Sequence, residues 1–138
     1  MSRTMKLAGL VAVVALAVLI GAALPTSAYF PGEKEGQVLR HIVMYKFKDE
    51  VPPAQVEEVV AAFSKLPKQV EGIVGFEHGV NTSTEGKSDG LTHLFMVTFR
   101  DPEALAAYLK HPAHDEYVKV VKDRREKVIV FDYFTGVQ

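Results

Sequence analysis

Acid–base chemistry near neutral pH needs side chains that can gain or lose a proton there. This chain of 138 residues carries five histidines, His41, His78, His93, His111 and His114, with Tyr108 shortly before the last two. An imidazole with its ordinary pKa of about 6.5 suits proton transfer, and a phenol can donate to a developing oxyanion. Other chemistries are missing. No cysteine is present, which excludes disulfides, zinc ribbons and thiol catalysis. No His-x-His or His-Glu-x-x-His spacing predicts a metal centre. Phosphate-cradling glycine loops, serine nucleophile elbows and paired carboxylates at active-site spacing are absent as well, so the reading is one without cofactor or metal.

The elements that position these residues begin well into the chain. Arg3 and Lys6, the apolar run Leu7 to Leu24 and the small residues Pro25-Thr26-Ser27-Ala28 predict an export signal over 1–28, cleaved after Ala28. That places the protein in the periplasm or outside the cell, free of the membrane. An uncleaved N-terminal anchor is the competing reading, because an apolar run of 18 residues reaches the lower length for a membrane span. Residues 29–37 read as a flexible lead-in and 38–138 as one domain. Removing the signal leaves 14 basic against 17 acidic side chains with no long run of one sign, which argues against nucleic acid as a partner.

Within the domain, Leu39 to Lys48 is β-branched and aromatic and predicts a first strand. Val56, Val59, Val60, Phe63 and Leu66 recur at helical spacing and predict a helix from Pro53 to Leu66, closed by Pro67. Ile73 to Val80 and Leu91 to Arg100 predict a strand pair around the polar loop Asn81 to Gly90. Asp101-Pro102-Glu103 opens a helix to about Lys110. His111 precedes Pro112 and breaks that helix, and a third helix runs from Ala113 to about Glu126 with Tyr117, Val118 and Val121 buried. Val128 to Phe134 is the last strand. The order is that of an α+β, ferredoxin-like split βαβ fold with a four-stranded antiparallel sheet and helices on one face.

The other face carries Ile42, Met44, Leu94, Met96, Ile129 and Phe131, too apolar for water, and predicts a homodimer formed sheet to sheet. On the helix side, His41 and His93 face a space walled by Val43, Val59, Phe63, Phe76 and Phe95, which Tyr108 and His114 overhang. His111 serves the helix break and His78 sits at an edge or surface. Lys119, Lys122, Arg124, Arg125 and Lys127 read as a solvated helix face.

Four segments carry a family resemblance: His41 to Lys48, Thr92-His93 with Val97-Thr98-Phe99, His111-Pro112-Ala113-His114, and Phe131-Asp132-Tyr133. Together they resemble the stress-responsive α/β-barrel (Dabb) family, across Leu39 to Tyr133. The resemblance implies a dimeric α+β barrel and a loose association with stress. Plant polyketide cyclases of that family carry a Tyr and a His at the positions matching Tyr108 and His114. The resemblance therefore implies His114 as general base and Tyr108 as donor to an enolate oxygen, with His41 and His93 orienting ligand or base. Arg125 stands where such cyclases have a large aromatic residue, which makes the inner end of the pocket polar. Some members hold magnesium through main-chain carbonyls in the loop matching Pro67 to Ile73, a mode without side-chain signature.

Two functions follow. One is an exported, stress-associated dimer that binds a small apolar or aromatic molecule through His41, His93, Val43, Val59, Phe63, Phe76, Phe95, Tyr117 and Arg125. The alternative is a cofactor-independent cyclase or isomerase with His114 and Tyr108 as the proton-transfer pair.

Overall fold

The computed structural model describes residues 36–135; the predicted signal and most of the lead-in lie outside them. The elements are β1 (Leu39–Phe47), α1 (Pro53–Gln69), β2 (Ile73–Val80), β3 (His93–Phe99), α2 (Pro102–Tyr108), α3 (Pro112–Val121) and β4 (Arg125–Phe134). All pairings are antiparallel and the sheet order is β2-β3-β1-β4, the α+β arrangement predicted from the element order. None of the described helices is long and apolar enough to cross a membrane.

β1 is central, and its alternation organises the core. Leu39, His41, Val43, Tyr45 and Phe47 are all buried, while the intervening residues are only half-buried. Their partners on β3 across the ladder are Phe99, Val97, Phe95 and His93 for the first four of these. Side chains directly opposite share a face, so one strip of apolar and aromatic groups receives the helices. α1 buries Val59, Phe63 and Leu66 into it, and α3 buries Tyr117 and Val121. The apolar spacing of both helices is what turns these residues to the sheet.

Helix ends follow local chemistry. The Asp101 carboxylate accepts from the Ala104 N–H at 2.7 Å, and Pro102 stands at the first helical position. His111 also caps: its Nδ1 accepts from the Ala113 N–H at 3.1 Å, which directs α3 away from α2.

Several boundaries move from the sequence expectation. α1 does not stop at Pro67 but carries it in its last turn to Gln69, where the Val70 N–H still reaches the Leu66 carbonyl. A proline near a helix end forfeits one hydrogen bond, and burial of Leu66 and Val70 holds the turn around it. α2 ends at Tyr108 and β3 begins at His93, each two residues inside its predicted bound. The largest change is at the basic stretch. α3 ends at Val121, and β4 starts at Arg125 rather than Val128, because β1 offers a ladder partner down to Phe47. Pairing overrides the helical preference of Arg-Glu-Lys. The five basic residues therefore do not form one helix face. Lys119 is on α3 and pairs with Glu116, Lys122 and Arg124 lie in the turn, and Arg125 and Lys127 are on β4.

The outer face matches its predicted character. Ile42, Met44, Leu94, Met96 and Ile129 are half-buried with no helix over them, and Phe131 is 58% exposed. The helix layer also stops short of β4. Val128 and Val130 stand opposite Tyr45 and Val43 on the helix side, yet both remain exposed.

Between α1 and β2, Gly72 has φ +92°, and a Cβ there would lie 2.6 Å from the Ala104 Cβ. Both the backbone conformation and the close approach of α2 require glycine. The expected result for Gly72→Ala is a loss of about 2 kcal/mol or more in denaturant unfolding, with unchanged circular dichroism below the transition.

Candidate functional site

Three of the predicted residues meet. The last turn of α2 presents Tyr108 and the first turn of α3 presents His114, with ring centroids 4.5 Å apart. His41, from the buried face of β1, brings its ring to 6.0 Å from Tyr108. The cap at His111 joins α2 to α3 so that both rings lean over the same end of the sheet. Phe99 closes the back, 5.1 Å from Tyr108 and 6.1 Å from His41.

A fourth member was not singled out from sequence. Asp132 pairs with His41 across the β1–β4 ladder, and its carboxylate lies 2.6 Å from His41 Nδ1. The signal was available in the alternation of the two strands, but only once their register is known. The Nδ1–Asp132 contact fixes the orientation of the His41 ring. His41 is almost wholly buried while the Asp132 side chain is 42% exposed, so the pair reaches from the core to the surface.

The electrostatics suit proton transfer. Burial pushes the His114 pKa below the usual imidazole value; His41 acts in the same direction and Asp115 opposes it. His114 is thus a neutral imidazole, and its Nδ1 is buried without a hydrogen-bond partner. Burial pushes the Tyr108 phenol up, beyond the range in which it ionises in water, so it remains an O–H donor. A neutral base, a phenol donor and a carboxylate-oriented second imidazole stand within one cluster.

His93 is not part of it. It stands opposite Tyr45, whereas His41 stands opposite Val97. Four residues of strand separate the two, about 13 Å at the usual rise. His93 instead packs edge-on against Phe47 at 5.1 Å, and its Nδ1 lies 2.9 Å from the Thr92 hydroxyl. Burial lowers its pKa, with His78 adding to the effect.

The residues expected to wall a hollow fill it instead. Phe63 stacks on Phe95 at 4.4 Å and on Phe76 at 5.6 Å, Tyr117 meets Phe63 edge-on at 4.6 Å, and Val43 and Val59 are buried among them. These four rings, from two neighbouring strands and two helices, reach across the layer and consume the space between. Open space lies farther out. One cleft of about 620 Å³ runs between α1 and β2 over Val56, Val60, Val80, His78 and His93. Another of about 860 Å³ lies by the β2–β3 hairpin and shares His78 and His93. His78 is on the edge strand and exposed, and its ring also lies over Phe95 at 5.8 Å. Arg125 and Tyr117 meet Tyr45 at this end of the sheet.

The family model of the stress responsive A/B barrel domain matches residues 39–135. The chain belongs to this family. A stress-response A/B barrel domain-containing protein of Arabidopsis thaliana is 37% identical over 101 residues, covering 73% of this chain and 92% of that protein. Olivetolic acid cyclase of Cannabis sativa is 33% identical over 95 residues, covering 69% of this chain and 94% of the cyclase. Among solved structures, a crystal structure of an Arabidopsis thaliana protein is 36% identical with a TM-score of 0.68, covering 72% of this chain and 98% of that one. A dimeric ferredoxin-like protein of unknown function from Jannaschia is 31% identical with a TM-score of 0.61, covering 72% and 99%.

The segment Pro67 to Ile73, which the resemblance ties to a carbonyl-held magnesium, is partly taken into α1, which runs to Gln69. The Gly72 carbonyl accepts from the Arg100 N–H, and the Glu71 carboxylate pairs with the Arg100 guanidinium. One main-chain carbonyl of the segment, that of Gly72, is thus engaged by Arg100. Among the described residues no group of three or more His, Asp or Glu is arranged to hold a metal.

Ring-proton titration by NMR checks the electrostatics, with His114 and His93 expected to titrate below the ordinary imidazole value. A depressed folded-state pKa means that the unfolded chain binds the proton more tightly. Stability from His114 is therefore full above its unfolded value of about 6.5 and falls as pH drops from there through the folded pKa. His114→Gln is expected to flatten that part of the stability profile.

Proposed function

We propose that this A/B barrel protein is an exported, stress-associated homodimer that binds a small apolar or aromatic molecule at the His114–Tyr108–His41 centre. The supporting observation is the buried, partnerless Nδ1 of His114 beside the ring of Tyr108, which Phe99 backs. An unpaired buried nitrogen costs roughly 1–3 kcal/mol. A ligand that supplies the missing hydrogen bond recovers that cost. The relationship to a cyclase that handles a small organic acid is consistent with such a ligand.

The acid–base complement favours a second reading, a cofactor-independent cyclase or isomerase. Neutral His114 would take a proton from a carbon next to a carbonyl, and the Tyr108 O–H would donate to the enolate oxygen as charge develops there. His41, held by Asp132, would orient the carbonyl.

Acetophenone, a small aromatic ketone with exchangeable methyl protons, separates the two readings. If the protein catalyses proton transfer, it accelerates deuterium exchange of that methyl group. His114→Ala and Tyr108→Phe then each lose roughly 100-fold, with circular dichroism unchanged. If acetophenone binds without exchange and His114→Ala weakens binding tenfold or more, the binding reading stands alone. Unchanged affinity and no exchange in both variants reject the centre.

Dimerisation rests on the uncovered outer face and on the dimeric state named for related structures. Native mass spectrometry of protein purified from its own host is expected to report two subunits, each lacking residues 1–28. A monomer would overturn the sheet-to-sheet pairing, and an uncut chain in the membrane fraction would overturn export.

A further inference from the structure

At the end of the sheet away from His114, three side chains from three elements converge without a task in the function proposed above. Tyr45 comes from the inner face of β1, Tyr117 from the middle of α3 and Arg125 from the first position of β4. Tyr45 and Tyr117 are 2% and 4% exposed. The Tyr117 hydroxyl donates to the Tyr45 oxygen over 2.9 Å, and the Arg125 guanidinium carbon lies 5.9 Å from the Tyr45 ring centroid.

The group consists of donors. The Tyr117 proton is committed to Tyr45, and the proton of Tyr45 itself meets no acceptor among the described residues. A guanidinium adds five N–H groups and accepts nothing. Acidic side chains nearby are engaged elsewhere: Glu126 holds Lys46 at 2.8 Å, and Glu58 holds Arg124 at 2.8 Å. Among the described residues Arg125 forms no ion pair. It is half-buried, so an anion reaches it without opening the core. The Tyr45 ring beneath restricts the guanidinium plane, which suits a forked contact with two oxygens. Burial raises the phenol pKa of both tyrosines, and at Tyr45 the nearby Arg125 opposes the rise, so both hydroxyls keep their protons for donation.

We propose that Arg125, carried on the Tyr45–Tyr117 pair, is a recognition site for the carboxylate of a small aromatic or apolar acid. Arg125 supplies the charge, and the Tyr45–Tyr117 pair beneath holds its guanidinium in place. This inference deepens the small-molecule reading and rests on it, but it names a ligand class and a place distinct from His114.

Benzoate and benzyl alcohol, which share a ring and differ in charge, test it by calorimetry on the signal-free chain at low salt. The expected result is benzoate binding at least tenfold tighter than benzyl alcohol, a preference that Arg125→Gln erases while leaving benzyl alcohol unchanged. Tyr45→Phe is expected to weaken benzoate several-fold. Should Arg125→Gln fail to fold, Arg125→Lys retains the charge, and the Nε resonance of Arg125 in the unaltered protein must shift on adding benzoate. Equal affinities, a preference that survives in Arg125→Gln, or a stationary Nε resonance overturns the carboxylate site and leaves the small-molecule reading intact. Binding of neither compound overturns the carboxylate site and counts against the small-molecule reading, which the acetophenone measurement then decides.

Discussion

The structure depends on the inward strip of β1. Leu39, His41, Val43, Tyr45 and Phe47 alternate along a central strand that pairs on both sides, so all five are forced beneath the helices. A strand cannot turn a single residue outward without a bulge. His41 and Tyr45 must therefore go into the core with their polar atoms, and each has to be satisfied there. Asp132 meets the imidazole from β4, and Tyr117 donates to the Tyr45 oxygen from α3. The two polar clusters are consequences of one alternation, and their separation equals the four-residue spacing between the histidine and the tyrosine.

The fold was legible because most of its signals are local. Asp101 before Pro102, the β-branched strands and the three-and-four spacing of α1 each act within a few residues. The boundaries that moved were decided by distant partners. Nothing within residues 122–127 shows that β1 will extend β4 back to Arg125, and nothing near Pro67 shows that burial of Leu66 and Val70 will carry α1 past it. The site divided along the same line. Tyr108 and His114 are six residues apart across a helix break, so their meeting follows from the chain itself. Whether His41 and His93 join them depends on strand register and ring packing. An inward direction for both histidines was readable, but the distance along the ladder was not, and neither was the degree to which Phe63, Phe95 and Tyr117 would fill the layer.

That filling has a chemical consequence. Stacked rings exclude water and lower the local dielectric, which strengthens every polar interaction at their border. It also makes charge expensive there, so neutral His114 and protonated Tyr108 share one cause in burial. At the opposite border the same cost falls on Arg125, which cannot shed its proton. It stays half-buried over a ring face rather than sinking into the layer. The layer between sheet and helices thus separates a neutral end from a cationic end.

The short helix layer leaves β4 uncovered. Val128 and Val130 face the helix side without cover, while Ile129 and Phe131 face the other side without cover. A strand apolar on both faces and unprotected at its edge is an association hazard. Asp132 and Arg125 lie near its two ends, one holding His41 and the other lying over Tyr45. Any partner that covers the outer face packs against the back of the strand carrying both residues, so association and the two clusters share a single mechanical element. Polar groups at the ends of β4 lie next to the two clusters, and the apolar middle is left for packing. The sequence Arg-Glu-Lys-Val-Ile-Val-Phe-Asp-Tyr-Phe distributes its charge accordingly.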